Sequence, residues 1–90
     1  MWYYHTSMET LTTVDRMELD FTGSSCLRRG VYRPLSGMLY ISFVGPVGRP
    51  DPAYIYSDVP SWVVQALLGA TSRGSFFMQN IAHSYPYRKM

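Results

Sequence analysis

Residues 53–87, AYIYSDVPSWVVQALLGATSRGSFFMQNIAHSYPY, constrain this chain more than any other stretch. Tyr54 and Tyr56 alternate with Ile55, the period of two of a strand. Ser57 or Asp58 is placed to cap a helix, and Pro60 suits its first turn, where a missing N–H costs nothing. Trp62, Val63, Ala66, Leu67 and Ala70 recur at helical spacing and predict an apolar stripe on a helix over Pro60–Ala70. Gly69 weakens its last turn, Thr71–Ser75 breaks it, and Ser72 or Ser75 can cap a second helix. Phe77 and Ile81, four apart, give that helix, Gly74–His83, its apolar face. Pro86 closes it, because the residue before a proline is driven out of the helical region. Two short amphipathic helices need a sheet to cover, and the upstream residues must supply it.

They read as strands. Met17, Leu19 and Phe21 alternate with Glu18 and Asp20, and the β-branched Thr12, Thr13 and Val14 precede them, so a first strand is predicted within 11–21. Its acidic outward face suits an exposed or edge strand. Gly23-Ser24-Ser25 ends it. Cys26–Arg33 is a second strand with imperfect alternation, since Leu27 and Val31 share a side with Arg29 and Arg33. Pro34–Gly37 is a turn. Met38–Val44 is the cleanest strand, with Leu39, Ile41 and Phe43 on one face and Tyr40 and Ser42 on the other. Gly45–Pro52 holds two Gly and three Pro, so it is a loop that should protrude. The expected fold class is α+β: a small antiparallel sheet of three to four strands followed by two helices packed on one face. The uncovered face could carry the tyrosines. Residues 1–23 are expected to be an N-terminal extension, residues 24–90 the domain proper, and Tyr87–Met90 a short basic tail.

Ninety residues make one domain and one core. Aromatics reach 16% of the chain, which suggests a thin core with wet edges or an interface. The single Cys26 excludes an internal disulfide and a Cys-based zinc site, and a reducing, cytoplasmic home is the simplest reading. No segment approaches the ~18 apolar residues of a membrane span. The N-terminus has no basic residue before an apolar run, so no secretory signal is expected. Charge is unevenly laid out. Residues 1–23 hold Glu9, Asp15, Glu18 and Asp20 against Arg16, whereas Arg28, Arg29, Arg33 and Arg49 fall within residues 24–50, which contain no acid. Arg73, Arg88 and Lys89 follow the last acid. Such cations form either a partly self-neutralised surface or a patch for anions.

No catalytic constellation is visible. His5 and His83 are the two histidines, and neither has spacing that would serve Cys26 or a Ser as a base. His83 reads as a residue facing the last carbonyls of its helix. The six acids are scattered, which disfavours paired acid–base chemistry. The Gly45–Gly48 loop lacks the strand-to-helix setting and the Lys-Ser/Thr of a phosphate cradle. Neither a cofactor, a metal nor a small-molecule substrate is expected.

From Ser24 onwards the chain resembles the KTSC domain, named for the C-terminal domain of some lysyl-tRNA synthetases and found also as small stand-alone proteins. The residues that carry the resemblance are Ser24-Ser25, Leu27, Tyr32, Gly37, Leu39, Phe43, the central Tyr54-Ile55-Tyr56, Val59-Pro60, Leu67-Leu68, Ala70, Ser72-x-Gly74, Phe77, Ile81 and Tyr85-Pro86-Tyr87. They span about 24–87, with 45–51 as a long loop. The resemblance implies a small α+β fold and a suggested role in RNA binding. One departure stands out. Relatives carry Asn after the Phe and basic residues along the second helix, whereas here Met78 follows Phe77 and Ala82 follows Ile81. Gln79, Asn80, His83 and Ser84 leave that helix without Lys or Arg.

Two functions are carried forward. The first is a non-catalytic nucleic-acid-binding module, with Arg28, Arg29, Arg33, Arg73, Arg88 and Lys89 on phosphates and Tyr54 and Tyr56 stacking on bases. At least one of those tyrosines is expected to pack against a helix instead. The alternative is a protein-interaction module, in the manner of a small phage-type protein that modulates a partner. It would use Trp2, Tyr3 and Tyr4 of the aromatic arm, the acidic strand and Arg49 in the loop.

Overall fold

The computed structural model describes residues 15–90. Seven elements follow in order: β1 (Met17–Asp20), β2 (Leu27–Arg33), β3 (Met38–Phe43), β4 (Ala53–Tyr56), α1 (Ser61–Gly69), α2 (Arg73–Asn80) and β5 (Tyr87–Lys89). The strands form one sheet in the order β1-β2-β3-β4-β5, each antiparallel to its neighbour. The α+β expectation holds, with one strand more than foreseen. Tyr87–Met90 is not a tail: Tyr87, Arg88 and Lys89 pair with Tyr56, Ile55 and Tyr54. Of the strand expected within 11–21, β1 is the described part, and residues 11–14 lie outside the described region.

Register decides which side chains meet the helices. One row runs Met17, Tyr32, Leu39, Tyr56, Tyr87 across the five strands, and the next runs Leu19, Gly30, Ile41, Tyr54, Lys89. Both rows face α1 and α2. The other face carries Glu18, Val31, Tyr40, Ile55 and Arg88 in one row and Asp20, Arg29, Ser42 and Ala53 in another. The face away from the helices therefore carries Tyr40, not Tyr54 and Tyr56. The imperfect alternation of β2 has a physical cause. A bulge between Leu27 and Arg29 inserts Arg28 and changes the phase, so Leu27, Gly30 and Tyr32 all point inward. Gly30 takes a core position where any side chain would meet the carbonyl of Tyr40 and the tips of Leu19 and Phe21.

The dry layer holds Leu19, Phe21, Leu27, Tyr32, Leu39, Ile41 and Tyr56 from the sheet side. Val59, Val63, Val64, Leu67, Phe77, Ile81 and Ala82 close it from the helix side. Each buried Val, Leu, Ile or Phe contributes roughly 1.5–3 kcal/mol. Phe43, expected in the core, is only partly buried and packs against its edge. The stripe on α1 differs from expectation: Val63, Val64 and Leu67 are buried, whereas Trp62 is 70% exposed. At 100° per residue, an inward arc centred on Val63, Val64 and Leu67 leaves residue 62 outside it. Neither Ser57 nor Asp58 caps α1. Pro60 is its N-cap with no side-chain hydrogen bond, and Asp58 adopts a left-handed turn at φ 60°. On α2, Ser72 is the cap, its Oγ accepting from the Ser75 amide. That helix ends at Asn80, where Ile81 and Ala82 N–H both bond the Phe77 carbonyl, so the chain has left the helix well before Pro86.

Two contacts tie the layers together. The Tyr32 hydroxyl crosses the core and donates to the Val59 carbonyl at 2.7 Å. Burial pushes that phenol above its ordinary pKa, which keeps it a donor. At the other end Gly74 lies against Cys26, and a methyl added there would collide with the Cys26 Sγ. Tyr32→Phe leaves a buried carbonyl without its partner and should cost about 1–2 kcal/mol in urea unfolding. Gly74→Ala should cost about 1–3 kcal/mol by overpacking. Adding Cys26→Ala should recover much of that loss, a positive coupling that a double-mutant cycle measures.

Candidate functional site

Two concavities lie on the helix side, and they meet at Met78, which lines both. The first, about 690 Å³, is a polar cleft. The β1–β2 connection supplies Thr22, Ser24, Ser25 and Cys26; the α1–α2 junction and the start of α2 supply Thr71, Ser72, Arg73, Gly74 and Ser75. Ser24 shapes this wall by accepting from the amides of Cys26 and Leu27 at 3.3 and 3.1 Å. Gly74 lets α2 approach closely enough to close the cleft from above. The two sequence pieces Ser24-Ser25 and Ser72-x-Gly74, far apart in the chain, thus face one another.

The second concavity, about 340 Å³, is aromatic. Phe43, Pro52, Tyr54, Tyr56 and Tyr87 form its floor and rim, with Met78, Ala82 and His83 on the helix side. Its rings meet edge to face: Phe43–Tyr54 at 5.7 Å, Tyr54–Tyr87 at 5.8 Å, with Tyr56 and Tyr87 tilted at 5.2 Å. Tyr56 is buried, Tyr54 half-buried and Tyr87 53% exposed, so the row grades from core to solvent. Burial, reinforced by the neighbouring phenols of Tyr87 and Tyr54, raises the pKa of Tyr56. None of the residues lining either concavity is acidic.

The cations expected to act together are split by the fold. Arg28, at the bulge, pairs with Asp51, and Asp51 also accepts from the Gly45 amide at 2.9 Å. One carboxylate thereby pins the 45–52 loop to the sheet, although Val47 at its tip stands fully in solvent. Arg49 is exposed in the same loop. Arg33 reaches Asp15 at 3.7 Å, and Arg29 sits beside Asp20 on the face away from the helices. The hydroxyl and amide of Thr22 hold Asp20 below its ordinary pKa, with smaller contributions from Arg29 and Arg73 against a little desolvation. Arg88 lies on the face away from the helices and Lys89 on the helix face next to Tyr54. Arg73 lines the polar cleft, its Nε donating to the Leu68 carbonyl at 3.3 Å. Trp2, Tyr3 and Tyr4 lie outside the described residues.

Sequence reasoning missed Tyr87, Met78 and Asp51. Tyr87 belongs to a three-residue strand with no pattern of its own, and Asp51 acts only through partners distant in sequence. His83 is exposed beyond the end of α2 and borders the aromatic concavity instead of facing the carbonyls of that helix. Among the described residues no three of His, Cys, Asp and Glu gather as metal ligands, and no helix is long and apolar enough to cross a membrane.

Comparison with known proteins fits this geometry. No curated protein matches the chain. Among solved structures it is similar to a KTSC domain protein from Yersinia pestis, with a TM-score of 0.68 and 28% sequence identity, covering 83% of this chain and 97% of that one. The family model described as the KTSC domain matches residues 23–85, so both the Ser24-Ser25 wall and the Tyr54–Tyr56 floor fall within it. The chain belongs to the KTSC domain family.

Proposed function

We propose that this chain is a non-catalytic module that binds single-stranded nucleic acid, RNA first among them, on the helix side of its sheet. One observation carries the reading: an acid-free aromatic concavity adjoins a hydroxyl-lined cleft that contains Arg73. Bases need flat, partly exposed aromatic faces, and Tyr54 and Tyr87 offer them at the rim. The sugar–phosphate backbone needs donors and positive charge. Lys89 beside Tyr54, Arg73, and the hydroxyls of Ser25, Thr71 and Ser75 supply them.

This moves the weight away from Arg28 and Arg33, whose guanidinium groups already face Asp51 and Asp15. A cation engaged by an acid adds little to counterion release. It also answers the lack of Lys and Arg in α2 beyond Arg73, because the charge on this side comes from Arg73 at the start of that helix and from β5. Protein binding is the second reading, and the edge of β5, which among the described residues pairs with β4 alone, favours it.

A fluorescein-labelled oligouridylate titrated with the protein at about 50 mM salt should show saturable anisotropy that weakens as salt rises. Tyr54→Ala should lower affinity about tenfold or more through lost stacking. Lys89→Ala should reduce the slope of log K against log salt by roughly 0.7, the value for one single-strand phosphate contact. Absence of any anisotropy change with protein on the order of tens of micromolar defeats the reading, since non-specific binding falls within that range.

A further inference from the structure

β5 is an outer strand: among the described residues it pairs with β4 alone. The Ser57 amide donates to the Pro86 carbonyl and the Met90 amide to the Ala53 carbonyl. Hydrogen-bonded pairs alternate along an antiparallel ladder, so Arg88 takes the bonded position against Ile55. Tyr87 and Lys89 then turn their N–H and C=O groups away from β4. All three residues are exposed. Outward-facing backbone at alternate residues is what an added strand requires.

The side chains select the strand. Arg88 projects to one face and Lys89 to the other, and neither pairs with an acid among the described residues. A second copy of β5 laid antiparallel would set these cations against their own kind, which disfavours self-pairing. On the helix face Tyr87 borders the 340 Å³ concavity, so an apolar side chain opposite it has somewhere to go.

We propose that the β5 edge accepts an extended segment of a partner protein by strand addition, with an apolar residue against Tyr87 and acidic residues against Arg88 and Lys89. The proposal shares Tyr87 and Lys89 with the nucleic-acid reading and differs from it in resting on the outward-facing backbone of β5.

The test is a labelled octapeptide of Val and Glu containing Val-Glu-Glu, beside its Lys-for-Glu counterpart and an oligouridylate. The acidic peptide should bind and the basic one should not. Lys89→Pro removes an outward N–H while sparing the hydrogen bonds to β4, and should weaken the acidic peptide at least about tenfold. Lys89→Gln, which loses only the charge, should weaken it less. Arg88→Glu should shift preference toward the basic peptide. Circular dichroism confirms that each variant folds. The proposal is overturned if the acidic peptide binds no better than the basic one, or if Lys89→Pro and Lys89→Gln behave alike. It also falls if the edge variants affect the oligonucleotide while the acidic peptide never binds.

Discussion

Phe77 is the contact on which both layers depend. Its ring is completely buried and meets Phe43 at 5.4 Å and 71° and Tyr56 at 5.4 Å and 89°. Both are edge-to-face contacts, worth about 0.5–1.5 kcal/mol each beyond burial. One side chain of α2 thereby fixes that helix against two neighbouring strands at once. Gly74, one turn earlier, lets the helix come down onto Cys26, and Ile81, one turn later, completes the layer. The same placement holds Met78 between the two concavities, so the packing residue and the candidate site share a cause. An enlarged Gly74 would lift the start of α2 and open the polar cleft along with the core.

Some of this was legible in the sequence because it is local. Leu39, Ile41 and Phe43 alternate cleanly, and the turn from Pro34 to Gly37 declares itself through a proline and a glycine that takes positive φ. Phe77 and Ile81 announce a helix face by spacing alone. What escaped depends on partners far along the chain. The side of the sheet on which Tyr54 and Tyr56 stand follows from pairing with Ile41 and Leu39, and alternation by itself leaves the two faces equivalent. The bulge at Arg28 has no signature, because one inserted residue looks the same as a poorly patterned strand. β5 is three residues, Tyr-Arg-Lys, too short to show a period.

The candidate site was legible only as a parts list. The sequence showed an excess of arginine without acids between residues 24 and 50, which resembles a patch for anions. The fold brings Asp51 and Asp15 to Arg28 and Arg33 and so spends much of that excess on surface pairs. Exposed pairs of this kind are worth about 0–1 kcal/mol for stability. Their larger effect is on where positive charge remains available among the described residues: at Arg73 in the polar cleft, at Arg49 in the loop, and at Arg88 and Lys89 in β5. The family resemblance pointed to the motif pieces, and only the coordinates show Ser24-Ser25 and Ser72-Arg73-Gly74 facing across one cleft.

The route of the chain has a kinetic meaning. Adjacent strands from β1 to β4 are joined by connections of four to nine residues, whereas residues 57–86, including both helices, separate β4 from β5. Closing a loop of about thirty residues costs roughly 2 kcal/mol more in chain entropy than closing one of four. Three residues of ladder at a wet margin repay little of that. The seam between β4 and β5 therefore returns the least ladder for the length of chain that must be ordered to form it. Because Tyr87 belongs to both that ladder and the tyrosine row, the packing of the row and the pairing of the last strand stand or fall together.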